Sequence, residues 1–569
     1  MSRTGRRNAS RAKKPSTGGW LVVLGILLAV ILAACCGISV LLYSTFTGDK
    51  VGAVASPPAR TGATLTVAYS PEKEALFTQL VDEFNGQGFK TPDGHKMVVQ
   101  TVQLNPEAMI DRVLAGELEA ISPDSSLWLY QLDRAWMDDR ATDLPIVGET
   151  VRYAVSPVVI AVWEDVARSM GYPERPLGWE DLLNKAQSDP SFKWSHPSTG
   201  SASGLLATLA EFYAGAGVTR GLTLEDAQRQ ETLDYVAAIE KTVRYYGEGE
   251  WAVVQRVLQE GRSYLDAFVC QEQLVVYLNQ NQSERVVAVY PKEGSLWEDH
   301  PLALLETPDL TTNQRLVFSQ FRDFLRSDDA QARVLAAGYR PADLSISLTD
   351  PTSPLTAANG VDPAQPQTSL QLPNAAVVDV VRNVWWYTKR HTNVYLVVDV
   401  SGSMRGEKIQ NAQLALRTFV EQVQGDLERV GLIEFSTDVR ETVPLDELED
   451  NRARLLDAIE TLDVGGNTAL LDAVDLAYES LHKRADAERI NAVVVMTDGL
   501  ENESAIGLGQ LIRKLEAQED VPVVVFCIAY GEDADRRILQ GIAEATGGQL
   551  REGDLETIRE LYKILSTYF

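Results

Sequence analysis

The sequence predicts an α/β protein with a membrane helix at its N-terminus and two α/β bodies behind it. Three observations carry this. Trp20–Tyr43 is a run of 24 uncharged residues. From Ala63 onward, short apolar strand signals alternate with helical periodicities, the pattern of α/β architecture. The segment Thr349–Asn374 holds five prolines, lacks sustained periodicity and divides the body in two.

The composition of the 569 residues is that of globular protein, 45% hydrophobic, 23% charged and 8% aromatic. A wholly disordered or many-span membrane chain is excluded. The first 18 residues hold six basic side chains and no acid, leaving 46 basic against 80 acidic residues in the rest, a balance of −34. A body that acidic repels nucleic acid and anionic lipid, so no nucleic-acid partner is expected.

A helix of 24 residues covers roughly 36 Å, enough to cross a bilayer. With the basic tail 1–18 inside, the positive-inside rule places everything after the span 19–44 outside the membrane. A second reading stays open. Leu32-Ala33-Ala34-Cys35 resembles a bacterial lipobox, which would make Cys35 a lipidated N-terminus. Either anchor leaves the bulk of the chain extracytoplasmic. The other two separated cysteines, Cys270 and Cys527, sit beside apolar sequence and read as buried free thiols.

A stalk over 45–62 contains Ser56-Pro57-Pro58. The first α/β body follows over 63–348. Leu65–Tyr69 and Met97–Val102 read as strands, and Glu74–Phe84 as an amphipathic helix. Ser70-Pro71-Glu72 and Asn105-Pro106-Glu107 each combine a cap, a first-turn proline and a first-turn acid. Further helices are expected at Trp179–Lys185, Gly204–Tyr213, Glu225–Tyr245 and Thr312–Leu325. Strands are expected at Val155–Trp163, Gln273–Leu278 and Val286–Tyr290. After 349–374, a linker or an extended strap, a connecting helix is expected within 375–392, and the second body spans 393–569.

In that second body, Val394–Val398 is apolar throughout, as a strand buried on both faces should be. It runs into Asp399-Val400-Ser401-Gly402-Ser403, and helical spacing resumes over Lys408–Val423. Gly465-Gly466-Asn467-Thr468 precedes a helix over Leu470–Leu481. Val493–Met496 is a second buried run, ending in Thr497-Asp498-Gly499. Loops at the carboxyl ends of parallel strands are where α/β sheets bind ligands. All these donors are oxygens, which suits Mg²⁺ or another hard divalent ion rather than zinc or copper.

Asp399-x-Ser401-x-Ser403, Thr468 and Thr497-Asp498-Gly499 resemble the metal-ion-dependent adhesion site of von Willebrand factor A domains. Gly431–Ser436 and Val521–Tyr530 resemble core strands of that family. The resemblance implies a doubly wound, Rossmann-like fold. It also implies that Asp399, Ser401, Ser403, Thr468 and Asp498 hold one divalent cation, Mg²⁺, with a position open for a protein partner's acidic residue.

The middle body resembles the extracellular solute-binding proteins of bacterial transporters, two lobes around a cleft. Thr66–Glu72, Ile121–Trp128, Ser156–Ala161 and His196–Gly204 carry the likeness. It implies cleft positions for Ser70, Ser125, Ser126, Ser156, Ser201 and Ser203, where helix N-termini favour anions. Plain helix capping accounts for each serine equally well. His196 reads as a satisfied loop histidine, and Trp128, Tyr153 and Trp163 read as core. No run of Arg or Glu in the sequence marks a charged solute.

Only five histidines occur, none in a His-x-x-x-His spacing, and neither a phosphate loop nor a nucleophile elbow is present. The expectation is therefore a membrane-tethered binding protein that engages a protein partner, and not an enzyme. The alternative is a transport system's solute receptor with an accessory A domain.

Overall fold

The computed structural model describes residues 62–569, apart from 248, 485, 518–520, 556, 567 and 569. The basic tail, the expected anchor and nearly all of the stalk lie outside the described residues. Among the described residues, no helix is long and apolar enough to cross a membrane. Residues 63–569 form one compact unit.

Its first lobe is built on a five-stranded sheet in the order Val98–Gln103, Thr64–Tyr69, Ala120–Ser122, Pro301–Leu305, Val147–Arg152. The first three strands are parallel, and Pro301–Leu305 runs against its two neighbours. The second lobe is organised by the long strand Ala154–Trp163. It pairs antiparallel with Ala267–Gln271, Val286–Val289, Trp297–Glu298 and Arg340–Pro341. The chain passes between the lobes at 152–154, at 298–301 and again before Arg340, so the cleft is framed by crossings.

Most expected elements are present, some extended by a turn. Thr312–Leu325 is a helix with its own capping box, Thr311 and Gln314 exchanging hydrogen bonds. Two expectations fail. Gln273–Leu278 is not a strand but part of the helix Glu272–Asn281, buried on nearly every face. A short run that is apolar all round carries no period to separate the two states. The expected helix Glu225–Tyr245 is two helices, Leu224–Gln228 and Gln230–Glu240, broken by extended backbone at Arg229. The break re-phases the chain, so that Ala227 and Thr232, five residues apart, both become buried.

The second body is a six-stranded sheet in the order Val439–Glu447, Arg429–Phe435, Thr392–Asp399, Ile490–Thr497, Val523–Tyr530, Leu550–Gly553. Only the first of these is antiparallel to its neighbour. Along Thr392–Asp399, Val394, Leu396 and Val398 face one core, while Tyr395 and Val397 face another. This period of two with both faces covered is what the continuous apolar run required.

The two bodies share a core. One continuous apolar cluster runs from the second lobe through Val377, Val381 and Trp385 of the connecting helix Ala375–Thr388 into Val394 and Leu416. The segment 349–374 is a strap rather than a free linker. Leu355, Val361 and Leu370 are buried, the Leu370 N–H donates to the Ser295 carbonyl at 2.9 Å, and the Ser295 N–H donates to the Thr368 carbonyl at 3.0 Å. Cys270 and Cys527 are buried free thiols, as expected.

At the junction, Lys389 and Glu428 form a fully buried ion pair at 2.9 Å. The ammonium also lies over the rings of Tyr246, Trp385 and Trp386, 5.4 to 5.7 Å from their centroids. Burial raises the Glu428 carboxyl, but Lys389, His391 and Thr392 more than offset it and hold it below its ordinary value. Its ionised form therefore stabilises the fold above the unfolded value of about 4.3, and that contribution is lost as pH falls through the lower folded value. Lys389→Ala should cost about 3–5 kcal/mol in urea unfolding at pH 7, because it strands a buried carboxylate. The joint replacement Lys389→Met with Glu428→Leu should cost less and should flatten the loss of stability between pH 5 and pH 3.

Candidate metal centre

Asp399 ends its strand beside Thr497, since Val398 is in register with Met496 of the neighbouring parallel strand. Two turns are thereby brought side by side. Thr497 Oγ1 donates to Asp399 Oδ2 at 2.5 Å, and the Ser401 backbone N–H donates to Asp399 Oδ1 at 2.7 Å. Ser401 Oγ and Ser403 Oγ lie 3.0 Å apart, and Ser403 Oγ donates to Asp498 Oδ1 at 2.7 Å. Asp399, Ser401, Thr468 and Asp498 are buried, while Ser403 is exposed at the mouth.

The third loop is drawn in by backbone. The Gly402 N–H donates to the Gly466 carbonyl at 3.1 Å, and Gly466 has φ +84°, a conformation that favours glycine. Asn502 Oδ1 accepts from the Thr468 N–H at 3.0 Å. A Cβ placed on Gly499 would stand 3.3 Å from Thr468 Oγ1 and 3.5 Å from Ser403 Oγ. The absence of a side chain at Gly499 thus lets these two hydroxyls and the Asp498 turn share one space. All five sequence-selected residues are in this one cluster.

The electrostatics call for a cation. Burial is the main cause that lifts the Asp399 carboxyl above its ordinary value, and the nearby Asp498 adds to it against the donors Thr497 and Ser401. The Lys408 ammonium is ion-paired with Asp498 Oδ2. A positive group already stands against the oxygen cluster, as a bound ion would. The residues fit a hard divalent cation, with Asp399 and Asp498 as charged donors and three hydroxyls beside them.

The sequence reading missed Lys408, placing it only as the start of a helix. The signal was present. Lys408 lies in the first turn of Glu407–Gln422, where the helix dipole disfavours a cation unless an acid faces it.

The serines of the middle body scatter among roles. Ser201 Oγ caps Ala202–Ala216 by accepting from the Gly204 N–H at 3.0 Å, and Ser125 Oγ accepts from the Leu127 N–H at 3.3 Å. Ser156 donates to Gln273, Ser203 bonds the Glu250 carboxyl, and the N–H of the half-buried Ser126 donates to Asp299 Oδ1. Ser70 Oγ is buried without a hydrogen-bond partner. His196 is buried, with Nδ1 on the Pro197 carbonyl at 2.8 Å and Nε2 3.2 Å from Glu240. Trp128, Tyr153 and Trp163 are core. The sequence shows no local cluster of acids here, but the fold makes one. Glu72, Asp124, Glu250 and Glu298, far apart in sequence, meet between the lobes.

Residues 393–563 match the von Willebrand factor type A domain, and residues 65–340 match a bacterial extracellular solute-binding protein family. The chain carries both. It is 25% identical over 179 residues to the Synechocystis protein sll0103, covering 31% of this chain and 41% of that protein's length. It is 22% identical over 586 residues to Rv1836c of Mycobacterium tuberculosis, covering 94% of this chain and 81% of the relative. Among solved structures, the sulfate-binding protein SubI of Mycobacterium tuberculosis is similar in fold, with 19% identity and a TM-score of 0.36, covering 50% of this chain and 88% of that one.

Lys408 and a divalent cation would compete for Asp498. Lys408→Met should therefore raise Mg²⁺ affinity several-fold in calorimetry on the full chain. It should also lower the thermal midpoint in chelator, where the two buried carboxylates then lack a counter-charge.

Proposed function

We propose that this union of a solute-binding domain and an A domain is a membrane-tethered extracytoplasmic binding protein, not an enzyme. Its A domain engages a protein partner through one divalent cation, Mg²⁺, held by Asp399, Ser401, Ser403, Thr468 and Asp498. The observation that carries this reading is the convergence of five oxygen donors, the buried Asp399 among them, from three loops at the carboxyl end of the parallel sheet.

The division of labour follows from the residues. Asp399 and Asp498 supply negative charge, and the hydroxyls of Ser401, Ser403 and Thr468 supply neutral oxygens. A bound Mg²⁺ supplies Lewis acidity and keeps water in positions that a ligand can take. Ser403 lies at the exposed mouth, so a partner's Asp or Glu would approach there. The anchor is Trp20–Tyr43, or Cys35 in the lipoprotein form, and either tethers the assembly outside the cell membrane.

A second reading has its own support. The charged groups gathered between the lobes favour a solute receptor to which the A domain is accessory. The two readings agree on binding and differ on which domain meets the primary ligand.

Asp399→Ala in the full chain should abolish Mg²⁺ binding by calorimetry while the strand's apolar residues keep the A domain folded. Thr468→Ala should weaken it by about tenfold or less, roughly 1.4 kcal/mol, because water can replace one neutral oxygen. Retained Mg²⁺ binding in Asp399→Ala would refute the metal centre. Protease added to intact cells should remove the A domain, and its protection in sealed cells would refute the topology.

A further inference from the structure

The cleft between the lobes is lined by ionisable groups from both sides. The first lobe contributes Glu72, Lys73 and Asp124, from the turns after Thr64–Tyr69 and Ala120–Ser122. The second contributes Glu250, at the start of the helix Glu250–Glu260, and the crossing segment contributes Glu298 and His300. Ligand atoms of Asp124, Glu298 and His300 all lie within 4.8 Å of one another, as do those of Glu72, Asp124 and Glu250.

All but the half-buried Glu72 are closed off from solvent, and Glu298 and His300 are short of partners. Asp124 is 2% exposed and Glu298 and His300 are 0% exposed. Both carboxylate oxygens of Glu298 and the Nε2 of His300 lack a hydrogen-bond partner. His300 Nδ1 lies 3.4 Å from Asp124 Oδ1, and its backbone is held at φ +35°, a costly setting for a residue other than glycine. One ammonium, Lys73, answers the four carboxyl groups, and it is spent on Asp124 at 3.2 Å and on the Pro123 carbonyl at 2.8 Å. Buried polar groups left in this state are expensive unless something completes them.

The chemistry selects the class of occupant. An oxyanion would meet four carboxyl groups. It would also find the Gln271 N–H already taken by Glu250 at 2.7 Å. The close spacing and burial of the donors suit a single ion better than a sugar or peptide. Carboxylates joined by an imidazole suit Mn²⁺, Fe²⁺ or Zn²⁺ better than the all-oxygen site of the A domain does.

We propose that the closed cleft binds one divalent transition-metal ion through Asp124, Glu298 and His300, with Glu72 and Glu250 facing it from the two lobes. This rests on the reading of the two-lobed domain as a solute binder, and it makes the cation the solute. The ion would join residues of both lobes and so hold the cleft shut.

The test uses the full chain in detergent carrying Asp399→Ala, so that the A domain contributes no site. After chelator treatment it is titrated with Mn²⁺ at pH 7.5, the free ion being counted by electron paramagnetic resonance. One Mn²⁺ per chain and a raised thermal midpoint are expected. Glu298→Gln and His300→Ala should each weaken binding at least tenfold, with His300→Gln as the gentler variant if either unfolds. No Mn²⁺ or Zn²⁺ binding by a cooperatively folded chain overturns the proposal, as does binding indifferent to these variants. A midpoint raised by sulfate, a sugar or an amino acid, but by no cation, overturns the ion while sparing the solute-binding reading. A midpoint flat to every class overturns both. Mg²⁺ binding by the wild-type chain reports separately on the A domain.

Discussion

The long-range organisation of this protein turns on one buried cation, the ammonium of Lys389. It sits where the connecting helix ends and the first strand of the A domain begins. It pairs with Glu428 of the A domain and lies over Tyr246 of the second lobe and Trp385 and Trp386 of the helix. Neighbouring residues repeat the pattern. Trp385 Nε1 and the Tyr246 hydroxyl both donate to buried Glu240, and Arg390 reaches the Val243 carbonyl on one side and the Ala487 carbonyl on the other. Buried charges hold geometry tightly because any loosening exposes one of them to an uncompensated low-dielectric surrounding.

The consequence is an unequal molecule. The second lobe, the connecting helix and the A domain share one apolar core, and Arg256 of the lobe bonds the Gly547 and Gly548 carbonyls of the A domain. The first lobe has separate cores and meets the connecting helix through polar contacts such as Arg134 with Asp379 and Arg382 with Glu107. Partly exposed ion pairs of this kind are worth little, whereas a shared core is not easily parted. If the lobes move about their crossings, the A domain travels with the second lobe.

The two acidic sites answer the same physical problem differently. In the A domain, Asp399 and Asp498 have hydroxyl donors around them and Lys408 against one of them, so the proposed Mg²⁺ would enter a site that is already polar and open at Ser403. In the cleft, the Glu298 carboxylate and the His300 Nε2 have no hydrogen-bond partner. The first arrangement suits an ion that shares its shell with an outside partner. The second suits an ion enclosed by the protein.

The A-domain site was legible in the sequence because its donors sit at fixed offsets from unmistakable elements. A strand buried on both faces can only be a continuous apolar run, so the ends at Asp399 and Thr497 could be read directly, and the turn after each had to carry the chemistry. The chain's period also placed most helices, and it failed where it carried no information, at the all-round buried helix Glu272–Asn281 and at the one-residue break at Arg229. Only the tertiary structure decided the rest. Glu72, Asp124, Glu250, Glu298 and His300 are spread over more than two hundred residues of sequence and become a cluster only because three crossings fold one lobe against the other. Likewise Lys408 meets Asp498, and Lys389 meets Glu428, through sheet order, which no local spacing encodes.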